Sequence, residues 1–218
     1  MTWRYVRMVK TGSNSVATWM IENGYPQPDG HLPAREVAKL HPGDCLFGTF
    51  RSPMDWYASW YGHCLRGGPQ NNRTTQSLRA YGRGSIEFKD VVYGLTHPAE
   101  VQPNARMLPK QDHLLNPAGD QLTATEGGLW TRSMRWFFQS AEGEWLVDWL
   151  ILLTHLREGI EEVLGVDASD LEHRNAGGSE RTCLEYDSAM LEWVHEADGA
   201  MWAALARLPG QHSLRMRD

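Results

Sequence analysis

The chain has 218 residues, with 21 Lys and Arg against 27 Asp and Glu, for a formal net charge of −6. That length suits one domain with a sizeable core, and the acidic balance argues against a general nucleic-acid partner. A hydrophobic share of 41% excludes a largely disordered chain. The longest apolar stretch, near residues 146–153, is interrupted by Asp148, so no membrane span is expected. Cys45, Cys64 and Cys183 lack paired spacing, which favours free thiols in a reducing compartment and gives no zinc pattern. Arg4, Arg7 and Lys10 follow Met1 without a cleavable apolar core, and the expected setting is cytoplasmic.

In chain order, an apolar strand is expected over about 3–9. A polar turn, Lys10-Thr11-Gly12-Ser13-Asn14-Ser15, follows, and then a helix over about 13–23 with Val16, Trp19 and Met20 at helical spacing. Such a turn suits an anion, because free N–H donors and the positive end of the helix dipole meet there. Lys10 adds a cation. A Ser/Asn-capped helix beside an incidental Lys is the alternative. A Walker A loop places its Lys after the glycines; here Lys10 precedes a single Gly12, which disfavours an ordinary ATP or GTP loop.

A short helix is expected over about 33–40, a strand over about 44–50 and an aromatic helix over about 53–65. Arg51-Ser52-Pro53 separates the last two. Pro53 suits a first helical turn, and Asp55 complements the dipole there. Asp55, Ser59 and His63 fall four apart on one face. Residues 66–84 read as a loop with little core content. A helix follows over about 85–94, with Ile86, Phe88, Val91, Val92 and Leu95 as its apolar face. Residues 96–127 read as a long loop or lid. Helices over about 128–140 and 184–206, and a strand over 145–152, complete the pattern. Alternating strands and helices imply an α/β fold, with a mainly parallel sheet and helices on both faces. Most of the ten tryptophans read as core anchors. Trp60, Trp130 and Trp136 have a second reading as walls of a ligand pocket.

Lys-Thr-Gly-x-x-Ser at the end of a first strand resembles the 5′-phosphosulfate loop of the sulfotransferases that use 3′-phosphoadenosine-5′-phosphosulfate (PAPS). Phe50-Arg51-Ser52-Pro53, with Asp55, Ser59 and Tyr61, resembles the 3′-phosphate motif of the same family. The resemblance implies a single domain over 1–218, three-layer α/β/α and P-loop-like, with PAPS as donor and no metal. It implies donor binding by Lys10, Thr11, Gly12, Ser13, Asn14, Ser15, Arg51 and Ser59. Compact members carry a Gly-His or Lys-His pair where this chain has Gly30-His31. His31 is therefore the expected base for the acceptor's hydroxyl (or amine), with Glu22 and Glu36 as fallbacks. Residues 145–165 resemble the family's late strand-helix unit, although Thr154-His155 stands where a Glu is common. Residues 171–181, with Arg174, Asn175 and Arg181, resemble its closing loop. The acceptor class, whether small molecule, carbohydrate or peptide, stays open. A small P-loop kinase, with Asp148 as its magnesium carboxylate, and a non-catalytic nucleotide-binding relative are the alternatives.

Overall fold

A computed structural model describes residues 2–66, 72–101, 127–171, 184–206 and 212–217. Residues 102–126 of the expected lid, and Arg174, Asn175 and Arg181 of the expected closing loop, lie outside them. The strands are β1 (Trp3–Val6), β2 (Cys45–Phe50), β3 (Trp149–Leu152) and β4 (Ser213–Arg215). The helices are α1 (Ser13–Glu22), α2 (Ala34–Leu40), α3 (Pro53–Arg66), α4 (Asn72–Tyr81), α5 (Phe88–Thr96), α6 (Pro98–Val101), α7 (Leu129–Phe138), α8 (Leu156–Leu164) and α9 (Ser188–Leu205). Two compact units result. The first comprises Met1–Arg51, Met134–Arg181 and Arg207–Asp218; the second comprises Ser52–Ser133 and Thr182–Ala206.

The first unit carries a sheet in the order β1-β2-β3-β4. β1, β2 and β3 run parallel, and β4 pairs antiparallel with β3. The α/β expectation is met: the sheet is mainly parallel and flanked by helices. Strands alternate their faces, so Tyr5, Phe47, Thr49 and Ile151 share one. Val16, Trp19 and Met20 of α1 and Leu156, Ile160 and Val163 of α8 join that face in one apolar cluster. The spacing of Val16, Trp19 and Met20 explains why α1 lies there. Asn23-Gly24 stops α1: Tyr25 N–H reaches Met20 C=O at 2.8 Å and Gly24 N–H reaches Ile21 C=O at 3.2 Å, a Schellman closure. On the other face the Phe138 ring packs over Gly48. β2, between β1 and β3, is buried over Leu46–Phe50, as a central strand covered on both faces must be.

The second unit is helical among its described residues, around buried Trp56, Tyr57, Trp60, Leu78, Tyr81, Val92, Leu95 and Trp130. Asp198 of α9 is its polar centre, 1% exposed. Its carboxylate accepts from Thr131 N–H at 3.0 Å, Thr131 Oγ1 at 2.6 Å and the Tyr57 hydroxyl at 2.6 Å. Trp130 N–H donates to Tyr57 Oη at 3.2 Å. The first turn of α7 is thus capped by side chains from α3 and α9 instead of by a residue of its own. Burial pushes the Asp198 carboxyl above its ordinary range, against the pull of those hydrogen bonds.

One expected loop is a helix. Residues 66–84 contain α4, whose Leu78 and Tyr81 are fully buried. The segment's polar composition hid these two anchors, placed one turn apart. Ile86, read as part of the apolar face of the next helix, precedes α5 and is 39% exposed. Trp60 and Trp130 are core residues at 1% and 0% exposure. Trp136 is half-buried, and the Arg35 guanidinium stacks 3.8 Å from its ring centroid. Among the described residues no helix is long and apolar enough to cross a membrane. A Gly48→Ala methyl runs into the Phe138 ring. The substitution is expected to cost about 1–3 kcal/mol of unfolding free energy, read as a lower urea midpoint; an unchanged midpoint would show that the ring yields freely.

Candidate functional site

The parallel register puts the carboxyl ends of β1, β2 and β3 along one edge, with Val6 opposite Gly48 and Phe50 opposite Leu152. Three connections leave from that edge: residues 7–12 after β1, Arg51 after β2, and the single 3₁₀ turn Leu153–His155 after β3. In open α/β sheets this is the edge where ligands bind.

The turn after β1 is held from below by buried hydroxyls. Thr11 Oγ1 donates to Met8 C=O at 2.8 Å, and Thr49 Oγ1 donates to Thr11 C=O at 2.8 Å. Tyr5 Oη lies 2.6 Å from Thr49 Oγ1. With the Thr49 proton given to Thr11, Tyr5 must donate. Burial supports this by pushing the Tyr5 phenol up to about 12. Thr11 and Thr49 are fully buried. The Thr11 hydroxyl is therefore turned inward, and Thr11 offers a ligand only its backbone. Thr49 lies two residues before Arg51, so this network ties the turn to the end of β2.

Two residues of the turn have left-handed backbone, Lys10 at φ 63° and Gly12 at φ 74°. Non-glycine residues rarely adopt it, and such strain gathers at ligand sites. Gly12 is also the N-cap of α1 and offers no side chain to cap it. The first backbone bond of the helix runs from Val16 N–H to Gly12 C=O at 3.3 Å. The N–H groups of Ser13, Asn14 and Ser15 precede that ladder and point along the axis at the turn. Ser13 and Ser15 are buried, Asn14 is exposed, and Lys10 and Gly12 are half-buried.

His31, expected as the base, is exposed and stands beside this turn. Its Nδ1 lies 2.8 Å from Arg7 C=O. A carbonyl only accepts, so Nδ1 carries the proton and Nε2 carries the lone pair in the neutral ring. The fallback bases are less well situated. Glu22 ends α1, nine residues from Ser13 and about 13 Å along the axis. The Glu36 carboxylate pairs with Lys39 at 3.1 Å.

Arg51 is half-buried, directly after β2. Much of the motif around it serves helix initiation. Ser52 Oγ accepts from Asp55 N–H at 3.1 Å and donates to Asp55 Oδ2 at 2.7 Å. Pro53 opens α3 between them. This is a serine N-cap with proline at the first helical position. Ser52, Pro53 and Asp55 are thereby explained by the start of α3. Ser59 is half-buried on α3, in the second unit.

Thr154 and His155 are exposed in the turn after β3. Leu153 beside them packs under Gly12, and the His155 ring stacks on His212 with centroids 5.1 Å apart. Asp148, the candidate magnesium carboxylate, precedes β3 and so sits at the opposite edge. There it accepts from Leu46 N–H at 2.7 Å. Among the described residues no three His, Cys, Asp or Glu side chains group so as to hold a metal ion.

Arg7 is the residue that the motif reading missed. Its Nη2 donates to Asn14 Oδ1 at 2.9 Å, and its carbonyl holds His31. The only sequence signal was a cation three residues before Lys10, which looks like any solvated arginine at a strand end. The assembled turn offers N–H donors, Lys10, Arg7 and a histidine with its lone pair on Nε2. Groups of these kinds can hold an anion and accept a proton.

The turn's dependence on Gly12 is testable. A Cβ at Gly12 would lie 2.5 Å from Leu153 Cδ1, on left-handed backbone that side chains disfavour. Gly12→Ala is expected to cost about 1–2 kcal/mol, measured by urea unfolding. An unchanged midpoint would mean that the turn relaxes without strain.

Comparison with models of protein families, with curated proteins and with solved structures finds no match to this chain.

Proposed function

We propose that this chain is a sulfotransferase that moves a sulfuryl group from PAPS to a hydroxyl or amine acceptor. One observation carries the reading: the uncapped start of α1, reached through left-handed Lys10 and Gly12, is tied by Thr49 to the strand end that bears Arg51. Two anion-holding features then share one sheet edge, as a donor with a 5′-phosphosulfate and a 3′-phosphate requires. The fold at this edge is read as three-layer and P-loop-like. The resemblance of residues 10–15 and 50–61 to the two sulfotransferase motifs supports the choice of donor. Ser59 rests on that resemblance alone, and so does a cytoplasmic location on the sequence pattern.

In this mechanism the first-turn N–H groups and Lys10 hold the phosphosulfate. The acceptor oxygen attacks sulfur in line, forming an S–O bond as the bridging bond to the 5′-phosphate breaks. The electron pair leaves on 3′-phosphoadenosine 5′-phosphate, where Lys10 balances the growing charge. His31 Nε2 takes the acceptor's proton. As in phosphoryl transfer, the protein mainly positions the groups and stabilises charge.

Transfer of radiolabelled sulfate from PAPS to a panel of phenols, sugars and tyrosine peptides tests the reading and identifies the acceptor. Labelled product with none of them, together with a thermal shift by ATP–Mg²⁺ and none by 3′-phosphoadenosine 5′-phosphate, would favour a kinase instead. Nucleotide binding without turnover would leave a non-catalytic relative. Lys10→Ala should lower turnover about 10²- to 10³-fold while the circular dichroism spectrum is kept; full activity would sink the mechanism. Arg51→Ala should weaken 3′-phosphoadenosine 5′-phosphate about ten- to a hundredfold and AMP hardly at all. Equal calorimetric losses for the two nucleotides would refute the 3′-phosphate role.

A further inference from the structure

We infer that Arg7 is a positioning residue for the donor: it locks the Asn14 side-chain amide so that its N–H groups serve the donor's 5′-phosphate. The inference rests on the sulfotransferase reading and adds to it a residue outside both motifs.

Arg7 follows β1, and its Nη2 donates to Asn14 Oδ1 at 2.9 Å. A guanidinium has five donors and no acceptor, so the amide atom facing it must be the oxygen. That settles which way Asn14 points. Asn14 is the second residue of α1, and with its oxygen held by Arg7 its Nδ2 donors serve a partner other than Arg7. Without Arg7 the exposed amide rotates between two nearly isosteric states, and one of them presents a carbonyl oxygen to the phosphate. The guanidinium is itself confined. Its Nε is buried with no hydrogen-bond partner among the described residues, while its own carbonyl receives His31 Nδ1. One residue thus touches both the donor loop and the expected base, while lying on neither motif. Its charge adds to the attraction for an anion at the uncapped helix start.

The contact is to the 5′-phosphate, which the product keeps, so 3′-phosphoadenosine 5′-phosphate is the probe. In ¹⁵N-labelled wild-type protein the Asn14 side-chain pair is identified by its loss in Asn14→Ala. Added nucleotide should shift that pair together with the backbone amides of residues 13–15. Arg7→Met and Asn14→Ala should each weaken the nucleotide about tenfold, and the double variant should be little worse than either, because they act as one unit. Arg7→Lys, which keeps one donor, should restore most of the affinity. In turnover, Arg7→Met should raise the KM for PAPS with kcat nearly unchanged, since the contact is made equally before and during transfer.

Melting curves confirm that the variants are folded. A still Asn14 pair while the backbone amides move would overturn the inference alone, and so would independent, multiplying losses in the double variant. Wild-type protein that binds no nucleotide would overturn the functional reading, and this inference with it.

Discussion

The hydrogen bond from the Thr49 hydroxyl to the Thr11 carbonyl is the joint on which the candidate site depends. It links the turn after β1 to the second-last residue of β2, and both residues are wholly buried. A buried carbonyl without such a partner would carry a desolvation penalty of about 1–3 kcal/mol. The turn is therefore held down where Thr49 can reach it. Tyr5 completes the chain of hydroxyls from the opposite strand. Everything above the joint follows from its position: the left-handed backbone at Lys10 and Gly12, the start of α1, and the nearness of Arg51.

Strain at Lys10 and the missing side-chain cap at Gly12 belong together. α3 begins with a side-chain cap from Ser52 and α9 with one from Asp187, whose carboxylate accepts Met190 N–H at 2.9 Å. α2, α5 and α8 begin without one, as α1 does, but from N-cap residues that are not left-handed. At α1 the same donors are brought to the sheet edge on a backbone that costs free energy. Such a cost persists when the surrounding structure holds it or a ligand repays it. The buried hydroxyls do the holding. The proposed donor is what the open N–H groups would serve.

The two motifs divide differently in space than in sequence. In the first, the side chains of Thr11, Ser13 and Ser15 are buried, so in the proposed role the backbone would meet the anion. In the second, Ser52, Pro53 and Asp55 build the start of α3, and Arg51 precedes them, directly after β2. A motif's letters thus mix groups that shape the chain with groups that meet a substrate. Only hydrogen-bond geometry separates them.

Sequence alone determined the local elements with strong signals: β1 followed by its turn and α1, β2 with the Pro53 helix after it, β3 passing into α8, and the α/β class. Each is set by neighbours within one or two turns, through apolar period, proline and glycine. The tertiary structure decided what depends on residues distant in the chain. It made α4 a helix by burying Leu78 and Tyr81, added β4 beside β3, and turned Trp60 and Trp130 inward. It also joined Asp198 to Tyr57 across 141 positions, Thr49 to Thr11 across 38 and His31 to Arg7 across 24. A sequence pattern states which face of an element is apolar and which groups can donate. It does not state which partner arrives, because that choice is made by packing and by the need to satisfy every buried polar group at once.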